Sequence, residues 1–351
     1  MRHRARPTLE TVAERADVSR QTVSNVLNAP HVVADATRDR VLAAIDELGY
    51  RPNIAARQLR TRRSSVLGLR VPPASDGISG QVLDRFLHAL TAVAQRSGLR
   101  VMLFTSDDDD DEVREYRNLH DTAGVDGFVL ANTHAGDQRT RWLTDQGIPF
   151  VTFGRPWDNG FTADDDHAWV DIDGRAGTLA ATRHLIDAGH RRIAFLGWPD
   201  GSGVGDDRYA GYLDGLRRVP GGAEPVVRRC EDRVPAGIAA AADVLVDDDV
   251  TALVCVSDSV ALGALTAVRD LRHTRPRRRA VAVTGFDDTP VARAIDLTSV
   301  AQPVDRVATR AVDLILAQML PADERVATSP AERHVLIEPG LVVRATSQVP
   351  V

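Results

Sequence analysis

The sequence predicts a small all-α helix-turn-helix headpiece followed by an α/β body of two Rossmann-like parallel-sheet lobes with a ligand cleft between them. Three observations carry this. Two short amphipathic segments joined by a three-residue turn lie near the start; from Val66 onward short continuous apolar runs alternate with helical patterns; and charge is divided unevenly between these parts. Residues 1–63 hold twelve arginines against seven acids, whereas the remainder holds thirty-one against forty-two. A basic head on an acidic body is the asymmetry expected when the head meets a polyanion. At 351 residues the chain exceeds one ordinary core, so two or three domains are expected. All the basic charge is arginine, which reads as composition bias rather than chemistry.

Thr8 precedes the periodic residues Leu9, Val12 and Ala13 and can accept the free N–H groups that open a helix over 9–16. Ala16-Asp17-Val18 makes a tight turn, and Ser19 is a suitable N-cap for a second helix over 20–27. The stripe Val23, Val26 and Leu27 faces inward, which leaves Arg20, Gln21 and Asn25 for base edges in a major groove. Arginine can hold guanine O6 and N7 with two bonds, and glutamine or asparagine does the same for adenine. Ser19, Thr22, Ser24 and Asn28 flank them and are short enough to bond phosphates. The bland alternative is a solvated face, but such faces mix Glu with Lys and this helix has neither. A third helix opens at 34–37 and carries Val41, Leu42, Ile45 and Leu48 to a stop at Gly49, with Tyr50 closing the core. Asn53 caps a further short segment, "NIAARQLRTRRSS", too brief to be stable alone.

In the body the order is "SVLGLRV", helix 80–97, "RVMLF", helix 112–123, "GFVLA", helix 137–146, "PFVTFG", then "RRIAFLG", "TALVCVS", "AVAVTGFDD" and "LTSVAQ". Continuous apolar strands between helices predict parallel sheets covered on both faces. Ligands of such sheets bind at the carboxyl ends of the strands. Cys230 and Cys255 stand apart in strand-like surroundings and read as core residues. "DGSGVGDD" departs from a dinucleotide loop, with Asp206 at the third glycine position, and reads as a flexible lip of the cleft. "SDDDDDE" at 106–112 lacks the spacing of a calcium loop and reads as a solvated helix start. The histidines, His184 and His190 among them, form no ligand pattern, and no Gly-x-Ser-x-Gly elbow is present, so neither metal nor cofactor is expected. No apolar run reaches 18 residues and no apolar segment follows "MRHRARPTLE", so a cytoplasmic protein with no membrane partner is expected.

The stretches "TLETVAERADVSRQTVSNVLN" and "VVADATRDRVLAAIDELGYRPNIAARQL" resemble the lactose-repressor (LacI/GalR) family of bacterial transcription regulators, and "VDIDGRAGTLAATRHLIDAGHRRIAFLG", "DRYAGYLDGL", "ALVCVSDSVALGAL" and "VTGFDD" extend the resemblance along nearly the whole chain. It implies a headpiece at 1–51, a hinge helix and linker at 52–65, and a periplasmic-binding-protein-like core at 66–351. The lobes of that core would be discontinuous, about 66–163 with 299–328 and 164–298 with 329–351, the chain crossing near 161–166, 296–300 and 325–331. It further implies a hinge that folds when two subunits meet on an operator, with Leu59 wedged into the minor groove, Ala56 in close groove contact and Arg60, beside Arg57, Arg62 and Arg63, supplying charge. An apolar wedge that kinks the duplex and cations that neutralise phosphates make physical sense of this. Many members carry Arg where this chain has Asn25, so the operator sequence does not transfer.

For the cleft the resemblance implies that Arg208 grips ligand hydroxyls with its planar fork and that Asp287 accepts from hydroxyls or a base. Ser257 and Gln302 fall at positions of other effector contacts, while Asp258 reads as the N-cap of the following helix. Arg155, Trp157 and Phe161 follow the fourth strand, where an aromatic could stack on a sugar or simply pack. The function implied is a ligand-gated repressor acting as a homodimer, with a tetramer as the alternative, on a near-palindromic DNA operator. No leucine heptad after Val343 supports a tetramerising tail. The effector implied is a sugar first and a purine second, acting by induction or corepression. The competing class is an NAD-type enzyme, which rests on the strand-helix rhythm and the imperfect glycine loop.

Overall fold

The computed structural model describes residues 7–28, 32–50, 64–72, 80–157, 167–219, 222–276, 279–321, 323–325 and 329–348. It divides into two compact units, Met1–Ser64 and Ser65–Val351. In the head, α1 (Leu9–Ala16), α2 (Arg20–Asn28) and α3 (Asp35–Leu48) close on a core of Val12, Ala16, Val23, Val26, Val41 and Tyr50. Thr8 caps α1 through a reciprocal bond pair with Thr11, and Asp17, at φ 51, ends it in the left-handed region that aspartate tolerates. Ser19 caps α2, its Oγ accepting from the Thr22 N–H at 3.0 Å.

The body runs β1 (Val66–Arg70), α4 (Gln81–Arg96), β2 (Arg100–Phe104), α5 (Asp109–Thr122), β3 (Gly127–Ala131), α6 (Gln138–Gln146), β4 (Phe150–Phe153) and β5 (Trp169–Ile172), then α7 (Gly174–Asp187), β6 (Ile193–Gly197), α8 (Gly203–Leu216), β7 (Val226–Arg229) and α9 (Val234–Val244). It continues through β8 (Ala252–Cys255), α10 (Asp258–Thr274), β9 (Ala282–Asp287), α11 (Pro290–Ala294), β10 (Thr298–Ala301), α12 (Val304–Met319), α13 (Pro330–Arg333), β11 (His334–Ile337) and β12 (Gly340–Val342). One sheet has the order β11-β5-β4-β3-β1-β2 and the other β12-β10-β9-β8-β6-β7. Every pairing is parallel except β10 with β12. Apolar residues of α4 and α12 cover one face of the first sheet, and those of α5 and α6 cluster with Phe128 and Phe150. The second sheet is buried among α7, α8, α9 and α10. Among the described residues no helix is long and apolar enough to cross a membrane.

Each lobe crossing falls later than the sequence placed it. β5 belongs to the first sheet, so the chain crosses after Ile172 rather than before 164; β10 belongs to the second, so the return follows Ala301; and β11 is again in the first, so the last crossing lies between Ile337 and Gly340. The crossings near 161–166, 296–300 and 325–331 were those the family resemblance implied. The observed crossings occupy one- and two-residue links directly behind strands.

The acid run is only partly a solvated helix start. Asp108 caps α5, accepting from the Asp111 N–H at 2.8 Å, but Glu112 turns inward and is buried. It meets Arg139 of α6, 1% exposed, whose Nη1 donates to Glu112 Oε2 at 2.9 Å and whose Nη2 donates to Asp137 Oδ2 at 2.7 Å and to the Asn132 carbonyl at 3.2 Å. The Tyr116 hydroxyl also donates to Glu112. His134, Asp109 and Asp137 approach closely enough to share an ion, but the Arg139 guanidinium already supplies the positive charge those carboxylates require.

Candidate functional site

The head presents one polar edge. Arg20 and Gln21 are exposed and Asn25 half-buried on the outer side of α2, while Val23 and Val26 face the core. Gln21 Nε2 donates to Asn25 Oδ1 at 2.9 Å, and the Thr22 hydroxyl lies 2.9 Å from that of Ser19. Arg20 Nη1 donates to Glu10 Oε1 at 2.9 Å. The edge is therefore not free of acid: α1 contributes a carboxylate that no periodicity within α2 reveals. Both partners are exposed, and such pairs are worth about 0–1 kcal/mol, so Arg20 can exchange Glu10 for another acceptor cheaply. Asn28 ends α2, but its side chain, together with Ala56, Leu59, Arg60 and Phe161, lies outside the described residues.

In the body a cavity of about 210 Å³ opens between the strand ends of the two sheets. Of the residues singled out in the sequence, Arg208, Asp287, Gln302 and Trp157 line it, and Arg155 lies directly behind Trp157. Arg208, on α8, is buried; Nη1 donates to the Val256 carbonyl at 2.6 Å, Nη2 lies 3.6 Å from Asp287 Oδ1, and the guanidinium sits 3.7 Å over the Phe286 ring. Burial pushes its pKa down, against the pull of Asp287. Gln302 Nε2 donates to Asp287 Oδ1 at 2.5 Å. Asp287 ends β9 at φ 109, a region non-glycine residues rarely occupy, and such strain marks sites whose surroundings hold it in place.

Burial pushes the Asp287 carboxyl from 3.8 up to about 7, with Arg208 opposing the rise. Between those values the native state holds a proton that the unfolded chain has released, so this group makes stability fall as pH rises. In the ligand-free protein, Asp287→Asn is expected to gain on the parent steadily between pH 4 and 7. Urea unfolding across that range checks this, and a pH-independent difference would contradict it.

Two arginines tie the lobes: Arg155, singled out in the sequence as a cleft candidate without its aspartate partners, and Arg85, which was not. Arg155 Nε lies 2.8 Å from Asp171 Oδ2 on β5, and its Nη2 donates to Asp207 Oδ2 on α8 at 2.9 Å. Burial raises the pKa of both aspartates, against Arg155. Arg85, on α4, donates to the backbone carbonyls of Asp287 at 3.1 Å and Gln302 at 3.2 Å.

Three expectations change. Ser257, not Asp258, caps α10: its hydroxyl accepts from the Val260 N–H at 3.2 Å and donates to Asp232, and Ser257 itself does not line the cavity. The helix simply begins one residue earlier than an Asp258 cap implies, and that buried carboxylate accepts instead from Ser299 Oγ at 2.6 Å and Thr289 N at 2.8 Å. The glycine stretch is no flexible lip, because Ser202 caps α8 and Gly203 and Gly205 form its first turn. The cysteines are free, and burial pushes Cys230 up to about 11 and Cys255 well above its ordinary value, so neither is an activated thiolate at neutral pH. His184 and His190 are engaged by Ser347 and Thr251. The cavity thus offers a fixed guanidinium, acceptors and aromatic faces, a set suited to holding a hydroxylated ring.

Comparison with known proteins finds matches for both the head and the body. Residues 8–53 match the family model for bacterial regulatory proteins of the lacI family, and residues 182–347 match that for a periplasmic binding protein-like domain. The HTH-type transcriptional regulator CelR of Thermobifida fusca is 33% identical over 346 residues, 96% of this chain and 99% of CelR. A CelR–cellobiose complex superposes with a TM-score of 0.68 at 32% identity, covering 97% of this chain and 100% of that one. The lac repressor dimer bound to operator and the anti-inducer ONPF gives a TM-score of 0.73 at 25% identity, covering 97% and 99%. With a relative this similar along almost its entire length, and with the head and the two-lobed body both in place, the chain belongs to the LacI family of bacterial regulatory proteins.

Proposed function

We propose that this protein is a cytoplasmic, ligand-responsive transcriptional repressor that binds a near-palindromic operator as a homodimer and senses a sugar in the cleft between its lobes. One observation carries the reading: Arg208, Asp287 and Gln302 of one lobe converge on a cavity whose other wall, with Trp157 backed by Arg155, comes from the opposite lobe. A ligand that touches both walls favours the arrangement in which they are close. Operator affinity then depends on ligand, and by linkage ligand affinity changes by the same factor when operator binds. A purine is the second ligand class, since a base also stacks and accepts. Among the described residues no group in the cavity is arranged as a nucleophile with its base, which favours binding over catalysis.

In the head, Arg20, Gln21 and Asn25 read bases, and Ser19, Thr22, Ser24 and Asn28 contact phosphates. Ala56, Leu59 and Arg60 act in the minor groove. The relatives support this: CelR is crystallised with cellobiose, and the lac repressor with operator.

The test is a footprint of the full-length protein on the DNA upstream of its own gene, repeated with single sugars and nucleobases. Thermal shift identifies the ligand in parallel, since a compound at 100 times its Kd stabilises by about 2.7 kcal/mol. Arg20→Ala is expected to weaken operator binding by roughly 1–3 kcal/mol and to relax preference at one base pair of each half-site. Unchanged affinity and base preference would remove Arg20 from the reading edge.

A further inference from the structure

Trp157 lines the cavity, and its side chain packs against Gly203, the first residue of α8 in the opposite lobe, which is not itself among the described lining residues although Val204 beside it is. The two can meet only because residue 203 has no side chain. A Cβ there would fall 2.3 Å from Cγ and Cδ2 of the indole and 2.8 Å from the Trp157 Cβ, well inside the roughly 3.5–4.0 Å of carbon contact. The ring is also pinned from its own lobe: Nε1 donates to Thr133 Oγ1 at 3.2 Å, and the Arg155 guanidinium lies 4.7 Å from the ring centre. Gly154, at φ 121, turns this segment into the cleft, and a Cβ on it would strike Thr133 Oγ1 at 2.3 Å. The cleft space of about 210 Å³ is smaller than the roughly 300–1,000 Å³ of drug-sized ligand sites.

We infer that the Trp157–Gly203 contact is the end wall of the effector site, that it limits the effector to a single hydroxylated ring, and that residue 203 sets the limit. This rests on reading the cleft as the effector site. A second ring would need the volume the indole fills. Since one half of the wall comes from each lobe, the wall is complete only when the lobes are together, so the contact also couples ligand length to lobe closure.

The experiment uses the full chain as parent, Trp157→Ala, Trp157→Phe, Gly203→Ala and the Trp157→Phe/Gly203→Ala pair. Thermal shift is measured with glucose, galactose and xylose, and with the two-ring sugars cellobiose and maltose. The parent should be stabilised by a one-ring sugar and by neither two-ring sugar. Trp157→Ala should gain a two-ring response, and Gly203→Ala should lose at least tenfold in one-ring affinity. Acrylamide quenching without sugar supplies a ligand-independent readout: Gly203→Ala should raise it over the parent, and the pair should not raise it over Trp157→Phe, which assigns the change to this indole. A two-ring sugar that stabilises the parent as well as a one-ring sugar would overturn the length limit. Unchanged quenching in Gly203→Ala would overturn the wall. Raised quenching with no response to any sugar would support the wall and defeat the sugar reading of the cleft.

Discussion

Arg208→Ala is expected to weaken ligand binding more than a hundredfold while operator affinity without ligand stays within about threefold. The guanidinium is buried, stacked on Phe286 and directed at Asp287, and each hydrogen bond from such a charged fork to a ligand is worth roughly 1.5–3 kcal/mol. Among the described residues Asp287 would keep Gln302 as its side-chain donor, and the Val256 carbonyl would lose the Arg208 bond. The head is untouched because it folds around its own core of Val12, Val23, Val26 and Val41. Operator anisotropy titrations with and without the ligand found by thermal shift measure both quantities. Arg208→Lys restores charge without the planar fork and should recover only part of the affinity. A normal ligand response in Arg208→Ala would disqualify this cleft.

Arg139→Ala is expected to lower the stability of the body by about 3–5 kcal/mol, with a fall in Tm on the order of 10 °C. The substitution leaves Glu112 and Asp137 facing each other across a space from which water is excluded, and it opens a cavity where one of the largest fully buried side chains stood. An apolar replacement of the set, Arg139→Met with Glu112→Leu and Asp137→Asn, should recover most of the loss, since a buried ion network and a well-packed apolar one are often equivalent. Urea unfolding of the full chain decides this. If Arg139→Ala unfolds at the parent's midpoint, the network contributes nothing net.

Much of the architecture was legible because parallel strands buried on both faces read as unbroken apolar runs: "GFVLA", "RRIAFLG" and "TALVCVS" each became a central strand. The misses were strands lacking that signature. β5 is only four residues long and carries Asp171, whose side chain serves the cavity rather than the core. β7 is an edge strand ending in two arginines, and overlooking β5 displaced the first lobe boundary. In the cleft, Arg208, Asp287 and Gln302 were found because each stands beside a recognisable motif. Arg85 stands 202 and 217 residues from the carbonyls it binds, and Glu10 reaches Arg20 across a turn. No local pattern encodes contacts of that kind, which exist only once separate elements have packed.

The grip of Arg85 on Asp287 and Gln302 has a bearing on how such a receptor changes its taste. Both acceptors are main-chain oxygens, so the mechanical link from the pocket floor to α4 is indifferent to which side chains stand at 287 and 302. Position 302 can be rewritten for a new metabolite, by drift or by design, while this backbone link survives, whereas position 287, at φ 109, admits few replacements.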